Sequence, residues 1–296
     1  METIGRHRLV PESSRPIVVG IDGSEGARRA VEWAVDDAHR KGRTLRLIHA
    51  MDHREPYDLF GSPAAEWPHT LTRKGRRLLV EAERLARERR PDVEITSLLL
   101  EGDPGIVLRA QGRIAAEIVV GSRGLGGLTG AVLGSVSGQV AGQAHCPVVV
   151  VRPGSETVHD EVVVGVDGSP ECEPALRYAF EEAELRGCPL RALYAWQLPV
   201  HAFAPEITYD MDEVHRARHQ VVQERLAGWR EKYPTVRVVE DVRCADPVDA
   251  LVEASARADL TVVGSHGRGV IGSLVLGSVS RGVLHRAHGP VAVVRA

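Results

Sequence analysis

The chain has 296 residues, room for two domains of ordinary size. It is 43% hydrophobic and 26% charged, a globular balance with no low-complexity tract. Its 37 Lys+Arg against 40 Asp+Glu give a formal net charge of −3, which argues against a general nucleic-acid binder with a basic face.

Elements follow in chain order. Met1 to Pro16 is polar, without the apolar core of a secretory signal, and no apolar run approaches the roughly 20 residues that span a bilayer. A soluble, cytoplasmic protein with no membrane partner is expected. Ile17 to Gly20 reads as a strand covered on both faces. Ala27, Ala30, Val31, Ala34, Val35 and Ala38 repeat at helical spacing. A second strand (Leu45 to Ala50) and a Pro-containing connection (Asp52 to Pro68) precede a long helix carrying Leu71, Leu78, Ala82, Leu85 and Ala86. Its basic clusters, Arg73 to Arg77 and Arg87 to Arg90, read as solvated faces. A third strand (Val93 to Leu100), a short helix (Pro104 to Gln111), a fourth strand (Glu117 to Val120), a glycine loop, a last helix and a fifth strand (Val148 to Val151) close the unit.

The same unit then repeats. Ile17-Val-Val-Gly-Ile-Asp-Gly-Ser24 recurs as Val162-Val-Val-Gly-Val-Asp-Gly-Ser169, and the second fifth strand is Val291 to Val294. The expected organisation is a polar tail (1–15), a first domain (16–152), a linker (153–160) and a second domain (161–296). The fold class is α/β: two tandem Rossmann-like domains, each a five-stranded parallel sheet with helices on both faces. Ser169 followed by Pro170 predicts an N-cap and first-turn pair for the second copy of helix one. Cys146, Cys172, Cys188 and Cys244 form no C-x-x-C pair and read as reduced, structural thiols.

The chemistry concentrates in two places. Gly121-Ser122-Arg123-Gly124 runs through nine residues, including Gly127, to Gly134-Ser135-Val136-Ser137. The pattern returns 143 residues later as Gly264-Ser265-His266-Gly267, then Arg268, then Gly277-Ser278-Val279-Ser280. A glycine loop between strand and helix frees the backbone and presents unpaired helix N–H groups, which suits a phosphate. It is not a P-loop, because no Gly-Lys-Ser/Thr supplies a lysine, and it follows strand four rather than strand one. At the end of strand one stand Gly20 and Asp22, repeated as Gly165 and Asp167. Those carboxylates fit a ribose or purine contact, a metal held near phosphates, or ordinary Asp-Gly-Ser turn chemistry. His215 and His219 are four apart, but the Glu of H-E-x-x-H is missing, so no metal site is expected. No nucleophile–base pair emerges, and nothing in the sequence demands catalysis.

The strand-one motif and the G-x-x-G-x9-G-S loop together resemble the ATP-binding branch of the universal stress protein family, in the tandem form of actinobacteria. The resemblance covers all but the tail and linker. It implies ATP as ligand, one per domain with Mg2+ as an accompanying ion. The nucleoside end is then expected at Gly20 and Asp22, or Gly165 and Asp167, with adenine near Ala50 and Ala195. Ribose and phosphates are expected at Val120, Gly121, Gly124, Gly134, Ser135 and Val136. The second-site counterparts are Val263, Gly264, Gly267, Gly277, Ser278 and Val279. It also implies a homodimer through the fifth-strand edges and an unidentified regulatory protein partner in stress or growth and dormancy control. A slow ATPase, a scaffold with structural nucleotide and a cyclic-nucleotide binder stay open as alternatives. The second loop carries more basic residues (His266, Arg268, with Arg281 just beyond), so it is expected to hold ATP more tightly.

Overall fold

Val-rich β1 (Ile17–Gly20) and β6 (Val162–Gly165) bury three of their four residues each, as strands covered by helices on both faces should. The computed structural model describes residues 14–52, 67–124, 133–153, 158–197, 210–267 and 276–295. Gly127, Arg268 and most of the Asp52 to Pro68 and Gln197 to Asp210 connections therefore lie outside the described residues. In the first domain α1 (Glu25–Lys41), β2 (Leu45–Met51), α2 (Trp67–Arg89), β3 (Ile95–Glu101), α3 (Pro104–Gln111), β4 (Glu117–Gly121), α4 (Ser135–Gln143) and β5 (Val148–Val151) follow β1. In the second, α5 (Glu173–Arg186), β7 (Leu190–Trp196), α6 (Met211–Lys232), β8 (Val238–Cys244), α7 (Pro247–Ser255), β9 (Leu260–Gly264), α8 (Ser278–Arg286) and β10 (Val291–Val294) follow β6. Among the described residues no helix is long and apolar enough to cross a membrane.

The strands form one ten-stranded sheet in the order β3-β2-β1-β4-β5-β10-β9-β6-β7-β8. Every neighbouring pair is parallel except the middle one, where β5 and β10 run antiparallel with Val149 opposite Ala292. The fifth strands thus do pair, but with each other inside one chain. The expected homodimer through these edges is corrected: each edge is already filled by the other domain, and among the described residues the outermost strands of the sheet are β3 and β8. Two hydrophobic layers cover the sheet, and each runs through both domains.

Helix boundaries follow local chemistry, with one departure. Ser24 Oγ accepts the Ala27 N–H at 3.1 Å, capping α1, and Gly42 closes the helix at φ 59°. Ser169 does not repeat that cap. Its hydroxyl donates to Asp167 Oδ1 at 2.7 Å, Pro170–Cys172 forms a 3-10 turn, and α5 starts only at Glu173. The first domain's third strand begins at Ile95, two residues later than expected, because Val93 is buried in the preceding turn; its copy begins at Val238, after a turn that buries Val236.

Candidate functional site

β1 and β4 are neighbours, while β1 continues through α1 to β2 on its other side. The order of strands reverses there, and the crevice beyond their carboxyl ends is where ligands of such sheets lie. Ile21 to Ser24 and Gly121 to Gly124 leave the sheet on either side of that crevice. Gly23, at φ 85°, lets the chain double back so that the Ser24 N–H reaches Asp22 Oδ1 at 2.8 Å. Gly168, at φ 76°, does the same for Ser169 and Asp167 at 2.9 Å. One oxygen of each aspartate therefore serves its turn. The other faces the glycine loop: a Cβ on Gly124 would stand 2.5 Å from Asp22 Oδ2, and one on Gly267 would stand 2.6 Å from Asp167 Oδ2. Any side chain at these two glycines would displace the carboxylates.

Backbone bonds close the loops, and serine side chains add to them. Ser122 N–H donates to the Val151 carbonyl at 2.8 Å, and Gly134 N–H donates to Ser122 at 2.8 Å. The second copy repeats both, from Ser265 to Val294 at 2.7 Å and from Gly277 to Ser265 at 2.9 Å. Ser122 and Ser265 are buried within these turns. Ser137 Oγ donates to the Gly121 carbonyl at 2.6 Å and Ser280 Oγ to Gly264 at 2.5 Å, fastening each helix to its strand. Neither α4 nor α8 has a side-chain N-cap. Their first amides, at Ser135, Val136, Ser278 and Val279, are thus left for an acceptor outside the helix.

In the first domain these parts surround a cavity of about 440 Å3. Gly20, Asp22, Ala50, Val120, Gly121, Arg123, Gly124, Gly134, Ser135, Val136 and Ser137 all line it. So do residues that sequence reasoning missed: Ile48, His49, Met51 and Asp52 at the end of β2, Leu71 and Lys74 on α2, and Leu108 on α3. Lys74 stands one turn from Leu71, so the apolar stripe of α2 held the only available signal. A larger cleft of about 700 Å3 lies between the domains, but it mixes Arg40, Arg89 and Arg186 with Asp36, Asp160 and Asp259 and contains none of the glycine-loop residues.

The second loop repeats the geometry with two differences. Gly26, in the first turn of α1, packs its backbone against Gly121 and Arg123; its counterpart by sequence is Glu171. Glu171 lies in the 3-10 turn, and a Cβ on Gly264 would be 3.9 Å from its carbonyl. Lys74 is matched by Ala217. Arg281 is exposed and its Nη2 donates to the Leu276 carbonyl at 3.2 Å, so it folds back on its own loop. The expected surplus of cations at the second site is therefore not borne by Arg281.

A separate charged cluster joins the domains at the opposite end of α1. The carboxylates of Asp37, Glu117 and Glu182 approach within 4.8 Å of one another, close enough for a metal. The Lys41 ammonium sits among them instead, 2.7 Å from Asp37 and 2.6 Å from both Glu117 and Glu182. Tyr178 donates to Glu117 at 2.8 Å, and Arg186 joins Glu182 at 2.9 Å and Asp37 at 3.3 Å. Burial pushes the Glu117 carboxyl up to about 8, whereas Lys41, Arg186 and Arg40 outweigh burial at Asp37 and hold it well below the usual range. The cluster is an ionic tie between α1, β4 and α5. The remaining singled-out groups are structural or peripheral. His219 lies 3.4 Å from Glu240 on the α6 face, and Cys146, Cys172 and Cys188 are buried free thiols, Cys146 pushed up to about 12 by burial.

The universal stress protein family matches this chain twice, over residues 13–152 and 159–295. Universal stress protein Rv2005c of Mycobacterium tuberculosis is 36% identical over 296 residues, covering 96% of this chain and 98% of its own. Universal stress protein Rv1996 of the same organism is 35% identical, covering 94% of each. In fold, the chain is similar to the crystal structure of a universal stress protein from Archaeoglobus fulgidus, with a TM-score of 0.70, 20% identity and coverage of 96% and 97%. The chain belongs to the universal stress protein family, as a tandem of two such domains.

Proposed function

We propose that this protein is a cytoplasmic ATP-binding regulator of stress response or growth and dormancy, holding one ATP, with Mg2+, per domain. The observation that carries the reading is the convergence of Asp22, Gly124 and the uncapped start of α4 on one cavity above the strand-order switch. A triphosphate fits a helix N-terminus whose first amides have no capping side chain. A ribose or purine fits the Asp22 oxygen that faces Gly124, and the apolar lining of Ile48, Val120 and Leu108 fits a flat base. Asp22, which lines the cavity, and its counterpart Asp167 offer carboxylate oxygens that would suit the accompanying Mg2+.

Nucleotide would act by binding two conformations with different affinity and so changing what a protein partner meets. Equilibrium dialysis with labelled ATP tests this on the whole chain and on Gly134→Glu and Gly277→Glu, which place a carboxylate at the start of α4 or α8. Two equivalents are expected for the parent, one for each variant and none for the double variant. A parent that retains no ATP overturns the reading. Displacement of ATP by equimolar cyclic AMP would favour the cyclic-nucleotide alternative. Turnover abolished by Asp22→Asn with binding retained would favour the ATPase.

A further inference from the structure

The antiparallel β5–β10 pair has a geometric consequence beyond joining the sheets. It sets the end of each fifth strand beside the start of the other, and therefore beside the end of the helix that precedes it. Arg152 follows β5, is only 9% exposed, and donates to the carbonyls of Leu284 at 2.6 Å and His285 at 3.1 Å. These are carbonyls of the last turn of α8. Arg295 follows β10 and donates to the Gly142 carbonyl, in the last turn of α4, at 3.3 Å. Each arginine thus caps the glycine-loop helix of the opposite domain.

These helices need the help. α4 and α8 have nine residues each, below the length at which an isolated helix is stable in water. α4 is Ser-Val-Ser-Gly-Gln-Val-Ala-Gly-Gln, with two glycines and no basic residue in its last turn. A guanidinium at the carboxyl end fills orphan carbonyls and complements the negative end of the dipole. The other end of each helix is the loop's Gly-Ser, about 13 Å away at 1.5 Å per residue. Ser137 and Ser280 fasten that end to the strand, and the arginines fasten the far end to the neighbouring domain.

We propose that Arg152 and Arg295 are crossed positioning residues, each holding the phosphate-binding helix of the other domain so that each site depends on its neighbour. This rests on the ATP reading above. Arg152 also feels the charge of Arg123 in its own domain's loop, which supplies the competing explanation: a direct electrostatic effect on the first site.

Titration calorimetry with ATP on single-site proteins separates the two. Arg152→Met is placed in Gly134→Glu, which leaves the second site, and in Gly277→Glu, which leaves the first. Affinity is expected to fall about tenfold at the second site and less than about twofold at the first. Arg295→Met should give the reverse pattern with a smaller loss of about threefold, since its one bond is longer. Arg152→Lys should restore part of the affinity, because an ammonium still donates to those carbonyls. Loss confined to the first site, equal loss at both, or no loss overturns the proposal, and should Arg152→Met fold poorly, Arg152→Lys and Arg295→Met decide it. Amide exchange in nucleotide-free protein gives a readout independent of ATP. Arg152→Met should accelerate exchange in α8 but not in α4, and unchanged α8 protection would refute the brace even if no ATP bound.

Discussion

Glu117→Gln probes the ionic tie where its physics is sharpest. Glu117 is fully buried beside the carboxylates of Asp37 and Glu182, and of the cluster's cations Lys41 reaches it directly whereas Arg40 and Arg186 pair with Asp37 and Glu182, so its ionisation is opposed by burial and by two like charges. Burial, opposed by Lys41 and reinforced by Asp37 and Glu182, accordingly pushes its carboxyl from 4.5 up to about 8. The folded state therefore holds this proton more tightly than the unfolded chain does. Its stabilisation is complete below about pH 4.5 and is lost as pH rises through about 8. At ~1.4 kcal/mol per pH unit for one proton, the loss approaches about 5 kcal/mol, with about 3–4 kcal/mol falling between about pH 5 and pH 8. Asp37 does not interfere, because a carboxyl held below its usual range loses its contribution only in more acid solution. Glutamine copies the neutral acid in size and keeps an acceptor for Lys41 and Tyr178. Urea unfolding of both proteins from about pH 5 to pH 8 is the assay, and histidines common to both cancel in the difference. The variant should match the parent at the acid end and exceed it by about 3 kcal/mol at the alkaline end. Parallel stability curves would refute the reasoning.

Lys41→Met leaves the buried carboxylates of Asp37 and Glu182 without the ammonium they share with the Glu117 acid and should cost about 3–5 kcal/mol at neutral pH, read from the urea midpoint; a cost below about 1 kcal/mol would mean that water replaces the amine. Gly124→Ala sets a methyl 2.5 Å from Asp22 Oδ2, so calorimetry should show ATP lost from the first site and retained at the second. Ser24→Ala removes the α1 cap and should destabilise by about 1 kcal/mol, whereas Ser169→Ala, which removes no cap, should cost less on the same urea titration.

The strand runs, the helices and the two loops were readable because each is a local pattern: apolar runs, helical spacing and glycines at fixed intervals. Asp22 beside Gly124 followed from the strand order of such sheets, and both copies place the pair within contact. The fifth strands showed themselves as edges that need covering, but sequence does not say whether a second copy or the second domain covers them. Ser169-Pro170 misled because Asp167 competes for the serine hydroxyl, a contest that the helix-start pattern does not contain. Lys74 and His49 enter the cavity through the way α2 lies over β2, which is a packing outcome. The ionic tie left one trace in the sequence: Glu117 opens an otherwise apolar strand whose second copy begins with Leu260. Its partners Lys41 and Glu182 lie far away in the chain, so only the fold reveals what that charge is for.

Native mass spectrometry of the intact chain titrated with ATP tests the central claim most directly. Two nucleotide masses should add per chain, falling to one in Gly134→Glu and one in Gly277→Glu. A parent mass that stays unchanged at saturating ATP would contradict it.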